Sequence, residues 1–334
     1  MSTAFVCAAG PCYRPEMLLP LRLMPLSLVL SSSLVFAQVL AVSAPPKLDL
    51  LTSQQFDKEL ARVRTEFPAA FSGVRSVVGR ADALDAKRRG RFFPMTTVLR
   101  DVARASQGHS GAALAFLEPV LHPERFSMPV KASALTALRA GLIEASGDLK
   151  DPLAAPSYRA LVQQGTAFYD VRAATEALGK LGLDEDVAFL ARLATTPGAS
   201  QDAVLAGLGT CRRLGAVTAL ADVAASQPPA ARGALVVTSL GRLASSWALA
   251  IPNAAPASEL EALRRTAARG ALAVFVDTTD SALRDSASDA LMGIDAPETP
   301  ALIATARAAA NGEVQARLEA LQHRFERNPA RGAR

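Results

Sequence analysis

Reactive side chains are scarce in this chain. Its 334 residues include three cysteines, three histidines and one tryptophan, and aromatic residues make up only 5%. Few aromatics beside abundant alanine and leucine argue against a twisted sheet and for close-packed helices, an all-α class. His109, His122 and His323 are far apart, and no zinc-ligand spacing surrounds them. No serine sits in a G-x-S-x-G turn, and there is no P-loop and no dinucleotide-binding fingerprint in the right context. No catalytic residue, cofactor or metal site is therefore expected, and the chain reads as a non-enzyme.

Charge is also thin. The formal net charge is +5, but charged residues are 20% of the chain and mixed in sign. The densest basic run, Lys87, Arg88, Arg89 and Arg91, reads as a solvated helix end or loop. A nucleic-acid binder should carry a basic stripe on one face, so nucleic acid is not the expected partner; binding of a polyanion is an alternative reading.

From Leu23 to Pro46 charge is missing altogether. Arg22 precedes the run and the small residues Ala41 to Ala44 end it, as in an export signal. Cleavage after Ala37 or Ala41 fits the need for small residues before the scissile bond, while Pro45 disfavours cleavage after Ala44. The rival reading is an uncleaved anchor over 23–46, since the run exceeds the ~20 residues that cross a bilayer, although Ser31, Ser32 and Ser33 dilute its middle. Met17 and Met24 are alternative starts. Residues 1–41 are thus expected to be a signal peptide or anchor, and the protein to be exported to the periplasm or beyond, with membrane attachment only through this segment. Cleavage would remove Cys7 and Cys12, leaving Cys211 with no intrachain disulfide partner. It would also lower the net charge from +5 to +4, because Arg14, Arg22 and Glu16 leave with it.

What the chain does contain is repetition. In VRAATEALGKLG, Val171, Ala174, Leu178 and Leu181 share one helical face, with Glu176 and Lys180 expected to face water. A shift of 33 sets Val171 on Val204, Ala174 on Gly207, Leu181 on Leu214 and Gly182 on Gly215. A shift of 62 sets Leu178, Gly179, Lys180 and Leu181 on Leu240, Gly241, Arg242 and Leu243. Second helices lie between these first ones: EDVAFLARLA from Glu185 and AVTALADVA from Ala216 superpose at a shift of 30, and Pro300 to Ala308 is a third. Asp184, Glu185 and Asp186 open the first of them, where amide donors and the helix dipole favour negative charge. The pattern is helix, tight turn, helix, loop, with a period of 30 to 41 residues. Such a unit is too small to bury its own apolar face and must stack.

The run DVRAATEALGKLG, followed by a second helix carrying AFLARLA, resembles the HEAT-repeat family, especially its short phycobilin-lyase-like variety. There an aspartate and a Val-Arg pair open the first helix and Ala-Leu-Gly closes it; here these are Asp170, Val171, Arg172 and Ala177, Leu178, Gly179. The resemblance implies an α-solenoid over 93–327, preceded by a helical cap over 45–92 and followed by a basic, disordered tail over 328–334. It implies packing rather than chemistry. The His-Glu pairs of HEAT-like di-iron hydroxylases are missing, so the leading function is a non-catalytic scaffold that binds a protein partner through the solenoid surface. An enzyme of the phycobilin-lyase type is the other alternative.

One segment breaks the period. SSWALAIPNAAPAS, from Ser245 to Ser258, carries the only tryptophan, Trp247, and a long helix from Glu259 to about Val276 follows it. An inserted loop often touches a partner, which makes Trp247 a candidate anchor; the alternative is that it plugs the gap left by the insertion. The second helices are the other candidate partner surface. There Arg192 superposes on Asp222, the alternation of sign that a solvated face shows. Cys211, beside Arg212 and Arg213, reads as a small core filler in the place of Leu178.

Overall fold

The computed structural model describes residues 53–90 and 92–328. The expected export segment, residues 45–52 of the expected cap and residues 329–334 of the expected tail lie outside these residues, as does Arg91, while Asn328, expected to open the disordered tail, is buried and donates to the Met292 carbonyl at 2.9 Å. Among the described residues no helix is long and apolar enough to cross a membrane.

The fold is an all-α helical repeat. Its helices are α1 (Ser53–Glu66), α2 (Pro68–Gly79), α3 (Ala81–Ala86), α4 (Pro94–Ala105), α5 (Ala112–Leu121), α6 (Ala132–Asp148), α7 (Ala155–Gln164), α8 (Phe168–Leu181) and α9 (Asp184–Thr195). They continue with α10 (Gln201–Gly207), α11 (Leu214–Ala225), α12 (Ala230–Leu243), α13 (Ser246–Leu249), α14 (Leu260–Asp277), α15 (Ser281–Ile294), α16 (Thr299–Ala309) and α17 (Gly312–Glu326).

Local sequence sets several boundaries. Proline opens α2 and α4, where its missing N–H costs no intrahelical bond. Gly182 ends α8 in the left-handed region at φ 66°. Asp280 caps α15 by accepting from the Leu283 amide at 2.9 Å. Other helix starts are satisfied from a distance. Asp82 of α3 accepts from the Val130 and Lys131 amides ahead of α6 at 3.0 and 3.1 Å, and Glu259 accepts from the Leu214 amide at the start of α11 at 2.6 Å. Asp184, Glu185 and Asp186 occupy the first turn of α9, as the dipole argument requires, but none is a side-chain cap. They face neighbouring arginines instead.

Successive helices form two rows. In the first, α6 packs on α8, α8 on α10, α10 on α12, α12 on α15 and α15 on α17; in the second, α9 packs on α11, α11 on α14 and α14 on α16. Between rows, α7 packs on α8, α11 on α12, α14 on α15 and α16 on α17. Helices of the first row run parallel. Arg139 of α6 pairs with Asp170 of α8 at 2.7 Å, Glu144 with Arg172 at 3.2 Å and Asp148 with Lys180 at 2.6 Å, in the same order along both helices.

Glycine sets how closely the first row packs. A Cβ on Gly147 would stand 2.9 Å from the Ala177 Cα, one on Gly179 3.1 Å from the Cys211 Cα, one on Gly209 3.2 Å from the Ser239 Cα and one on Gly241 3.3 Å from the Ala290 Cα. Three of the four obstacles lie one repeat further along the chain. The spacing of these glycines, 32, 30 and 32 residues, also corrects the repeat register. Gly209 matches Gly179 at a shift of 30, in step with the second helices, so the sequence match at 33 is displaced. The cause is local. α10 ends at Gly207, a 3-10 turn follows over Leu208–Thr210, and Leu214 and Gly215 begin α11 rather than finish a first helix. Cys211 follows that turn and is not mid-helix; it takes the place of Leu181 rather than Leu178.

Helix α5 is among the elements, with α2, α3, α7 and α13, that the sequence pattern does not announce. Every residue from Ala112 to Val120 is buried, so it carries no apolar-polar period to read. Its Glu118 accepts from Arg64 of α1 through both oxygens at 2.8 Å, tying the first helix to the rest.

Two alanine substitutions should separate close packing from helix propensity. Gly147→Ala places a methyl against the Ala177 backbone and should destabilise by about 1–3 kcal/mol. Gly293→Ala, in α15 with nothing within 4 Å, should stabilise by roughly 0.5 kcal/mol. Urea denaturation of both variants checks the opposite signs; equal signs would refute the packing argument.

Candidate functional site beneath the 245–258 insertion

The insertion leaves the first row after α12 and returns at α14. Its first residues form the short α13, and a turn closed by the Ala254 amide donating to the Ile251 carbonyl at 3.1 Å carries Asn253 in the left-handed region at φ 58°. Leu249 and Ala255, both partly buried, pack against the core. Trp247 does not. It is 69% exposed and Ile251 is 58% exposed, so the reading of Trp247 as a plug is overturned.

The return of the loop is fixed by Glu259. Its carboxylate takes the Leu214 amide at 2.6 Å and Arg213 Nε at 3.3 Å, holding the end of the insertion to the start of α11. Arg213 in turn donates to the Gly182 carbonyl and pairs with Asp184 at 2.5 Å. The end of α8, the start of α9, the start of α11 and the insertion are thereby bound together.

Between them lies a cleft of about 740 Å³. One wall is the insertion from Leu249 to Ala257, made of small and apolar residues apart from Asn253; the other includes Lys150, Lys180, Arg212 and Arg213. No carboxylate lines it among the described residues. Two of the four cations are already compensated, Lys180 by Asp148 at 2.6 Å and Arg213 by Asp184 and Glu259. The other two are not. Lys150 is exposed and has no side-chain ion pair among the described residues. Arg212 is half-buried, and its Nε is buried with no hydrogen-bond partner. Burial and the neighbouring Arg242 hold its guanidinium below its ordinary range, and no carboxylate enters that balance.

No family model, no curated protein and no solved structure matches the chain. What the cleft can do is therefore read from its own chemistry: it presents uncompensated positive charge beside an apolar wall.

Other candidate residues lie elsewhere. Arg192 and Asp222 are exposed, on α9 and α11. Each is eight residues beyond the Asp184 or Leu214 that starts its helix beside the cleft, which is about 12 Å along the axis. Neither lines the cleft. Cys211 is fully buried, and burial pushes its thiol up to about 12 despite Arg213, so it stays protonated and inert. His109 stacks on Phe67 at 3.8 Å, His122 faces Glu124 at 3.3 Å, and His323 faces Glu326 at 3.7 Å, three separate settings.

Next to the cleft stands a buried carboxylate that the sequence placed in water. Glu176 is 6% exposed, with one oxygen lacking a hydrogen bond; Arg172 lies 3.4 Å and Arg242 3.6 Å from that oxygen. It is covered because α12 brings Arg242 over α8, which the heptad-scale pattern of one helix does not reveal. A signal did exist: acids and arginines one repeat apart, such as Glu144 with Arg172, Asp202 with Arg232 and Asp184 with Arg213, pair across layers throughout.

Burial raises the proton affinity of Glu176 in the folded state, and the attraction of Arg172 and Arg242 does not offset it. Its ionisation therefore opposes folding: the cost is absent below the unfolded carboxyl value, grows as pH rises and is complete above the folded one. Glu176→Gln should be more stable than the parent at pH 7 to 8, with the difference shrinking toward pH 4. Urea titrations across that interval check it; a difference that widens on acidification would contradict the assignment.

Proposed function

We propose that this protein is an exported, non-catalytic scaffold of the HEAT-repeat type, an α-solenoid that binds a protein partner at the 245–258 insertion. The observation that carries the reading is the exposure of Trp247 and Ile251 on the segment that departs from the repeat, where Ile251 also lines the cleft. Tryptophan is among the side chains most enriched at the energetic centres of protein interfaces, and large apolar groups left in water favour being covered. Supporting it, Trp247 is more exposed than the aromatic side chains elsewhere in the described residues, Phe92, Phe93, Phe168 and Tyr169 included. The uncharged run over 23–46 supports export. Arg192 and Asp222 are exposed and do not line the cleft, and they would belong to a separate contact on the second helices.

A photo-cross-linking amino acid at Ile251 should capture a discrete adduct in the native envelope, and the same group at Arg192 should not. Trp247→Ala should reduce the Ile251 adduct by about tenfold or more, the scale of an interface hot spot. Equal capture from both positions, or capture indifferent to Trp247, would overturn the placement.

A further inference from the structure

The cleft walled by Leu249 to Ala257 is more specific than an apolar contact patch. We infer that it receives an acidic peptide segment of the partner, a carboxylate settling at Arg212 and Lys150 while an apolar side chain lies along Leu249 and Pro252. This deepens the reading of the insertion as a partner-binding site and rests on it.

Three observations carry the inference. First, the charged lining is of one sign, with no carboxylate among the described residues, although acids and arginines pair across most other steps of the repeat. Second, Arg212 is a half-buried cation with a like-charged neighbour, Arg242, and a buried Nε that nothing satisfies. Such a group is costly unless a charge of opposite sign meets it. Third, the facing wall is apolar, and the volume of about 740 Å³ suits a few residues of extended chain.

Charge complementarity favours a peptide over nucleic acid. Nucleic-acid grooves track a backbone with a run of cations and stack bases on aromatic rings. Here two of four cations are already held by Asp148, Asp184 and Glu259, and the lining includes no aromatic residue. One or two carboxylates with an adjacent apolar side chain match what is left.

The test is selection of displayed random dodecapeptides on the full chain, followed by binding of the selected sequences as synthetic peptides. Enrichment of Asp and Glu next to Leu or Phe is expected. Arg212→Gln and Lys150→Gln should each weaken those peptides by about tenfold or more, and peptides carrying Asn and Gln in place of the acids should not bind. Lys150 is exposed, so its variant keeps the test valid if Arg212→Gln fails to fold. Selection of neutral or basic sequences, or acidic peptides unaffected by both variants, overturns the inference. So does a 20-nucleotide single strand that binds more tightly than the peptides and is weakened by the same changes. If Trp247→Ala weakens the selected peptides and the two cationic variants do not, the acidic-segment inference fails while the insertion stands as the contact; if none of the three matters, both fail.

Discussion

Backbone-to-backbone packing at Gly147, Gly179, Gly209 and Gly241 sets the distance between successive helices of the first row. Helix axes ordinarily stand about 8–10 Å apart, the nearer end of that range being open only where small residues meet. With no Cβ at these positions, the next helix rests almost directly on the backbone. Long side chains on either flank then reach across one layer, which is why charged residues one repeat apart come within 2.6 to 3.2 Å along α6, α8, α10 and α12. The same closeness fills the seam, leaving Val171, Ala174, Leu178, Val204, Leu240 and Leu291 essentially out of water.

Close packing also traps polar groups. Glu176 and Asp186 lie under neighbouring helices, each with an oxygen that makes no hydrogen bond, and in both burial favours the protonated form over the pull of adjacent arginines. Neither adds net stability by being charged, since desolvation rivals the attraction regained. What such groups do is fix register. Arg159 finds Asp186, and Arg172 finds Glu144, only when consecutive layers are aligned along the helix axis.

The insertion exploits this frame. Because Glu259 takes over the N-terminal amide of α11, the loop is fastened at its far end to the repeat it interrupts. The loop therefore forms one wall of the cleft, with Leu249 and Ala255 packed against the core and Trp247 and Ile251 largely exposed. The cationic side chains across from it come from chain ends of three different repeats: Lys150 after α6, Lys180 in the last turn of α8, and Arg212 and Arg213 ahead of α11. Their convergence is a consequence of parallel stacking, which gathers equivalent helix ends on one edge.

The helical class, the two alternating kinds of helix and the unit near 30 residues are local properties. Val171, Ala174, Leu178 and Leu181 announce a buried face, Val187 and Leu190 repeat at Val217 and Leu220, and Gly179 finds Gly241 two units away; each follows from the 3.6-residue turn and needs no knowledge of neighbours. Where local signals failed, a neighbour decided. Leu214 and Gly215 mimic a helix end but begin one, since the tight contact of Gly209 with Ser239 coincides with the early end of α10 and its 3-10 turn. Glu176 looks solvated on its own helix and is covered by Arg242 from another, while Trp247 looks like filler and is left in water, Leu249 and Ala255 being the insertion's side chains that pack against the core. The cleft was not legible at all, since Lys150, Arg212 and Leu249 are separated in the chain by up to 99 residues and meet only when equivalent helix ends are stacked on one edge.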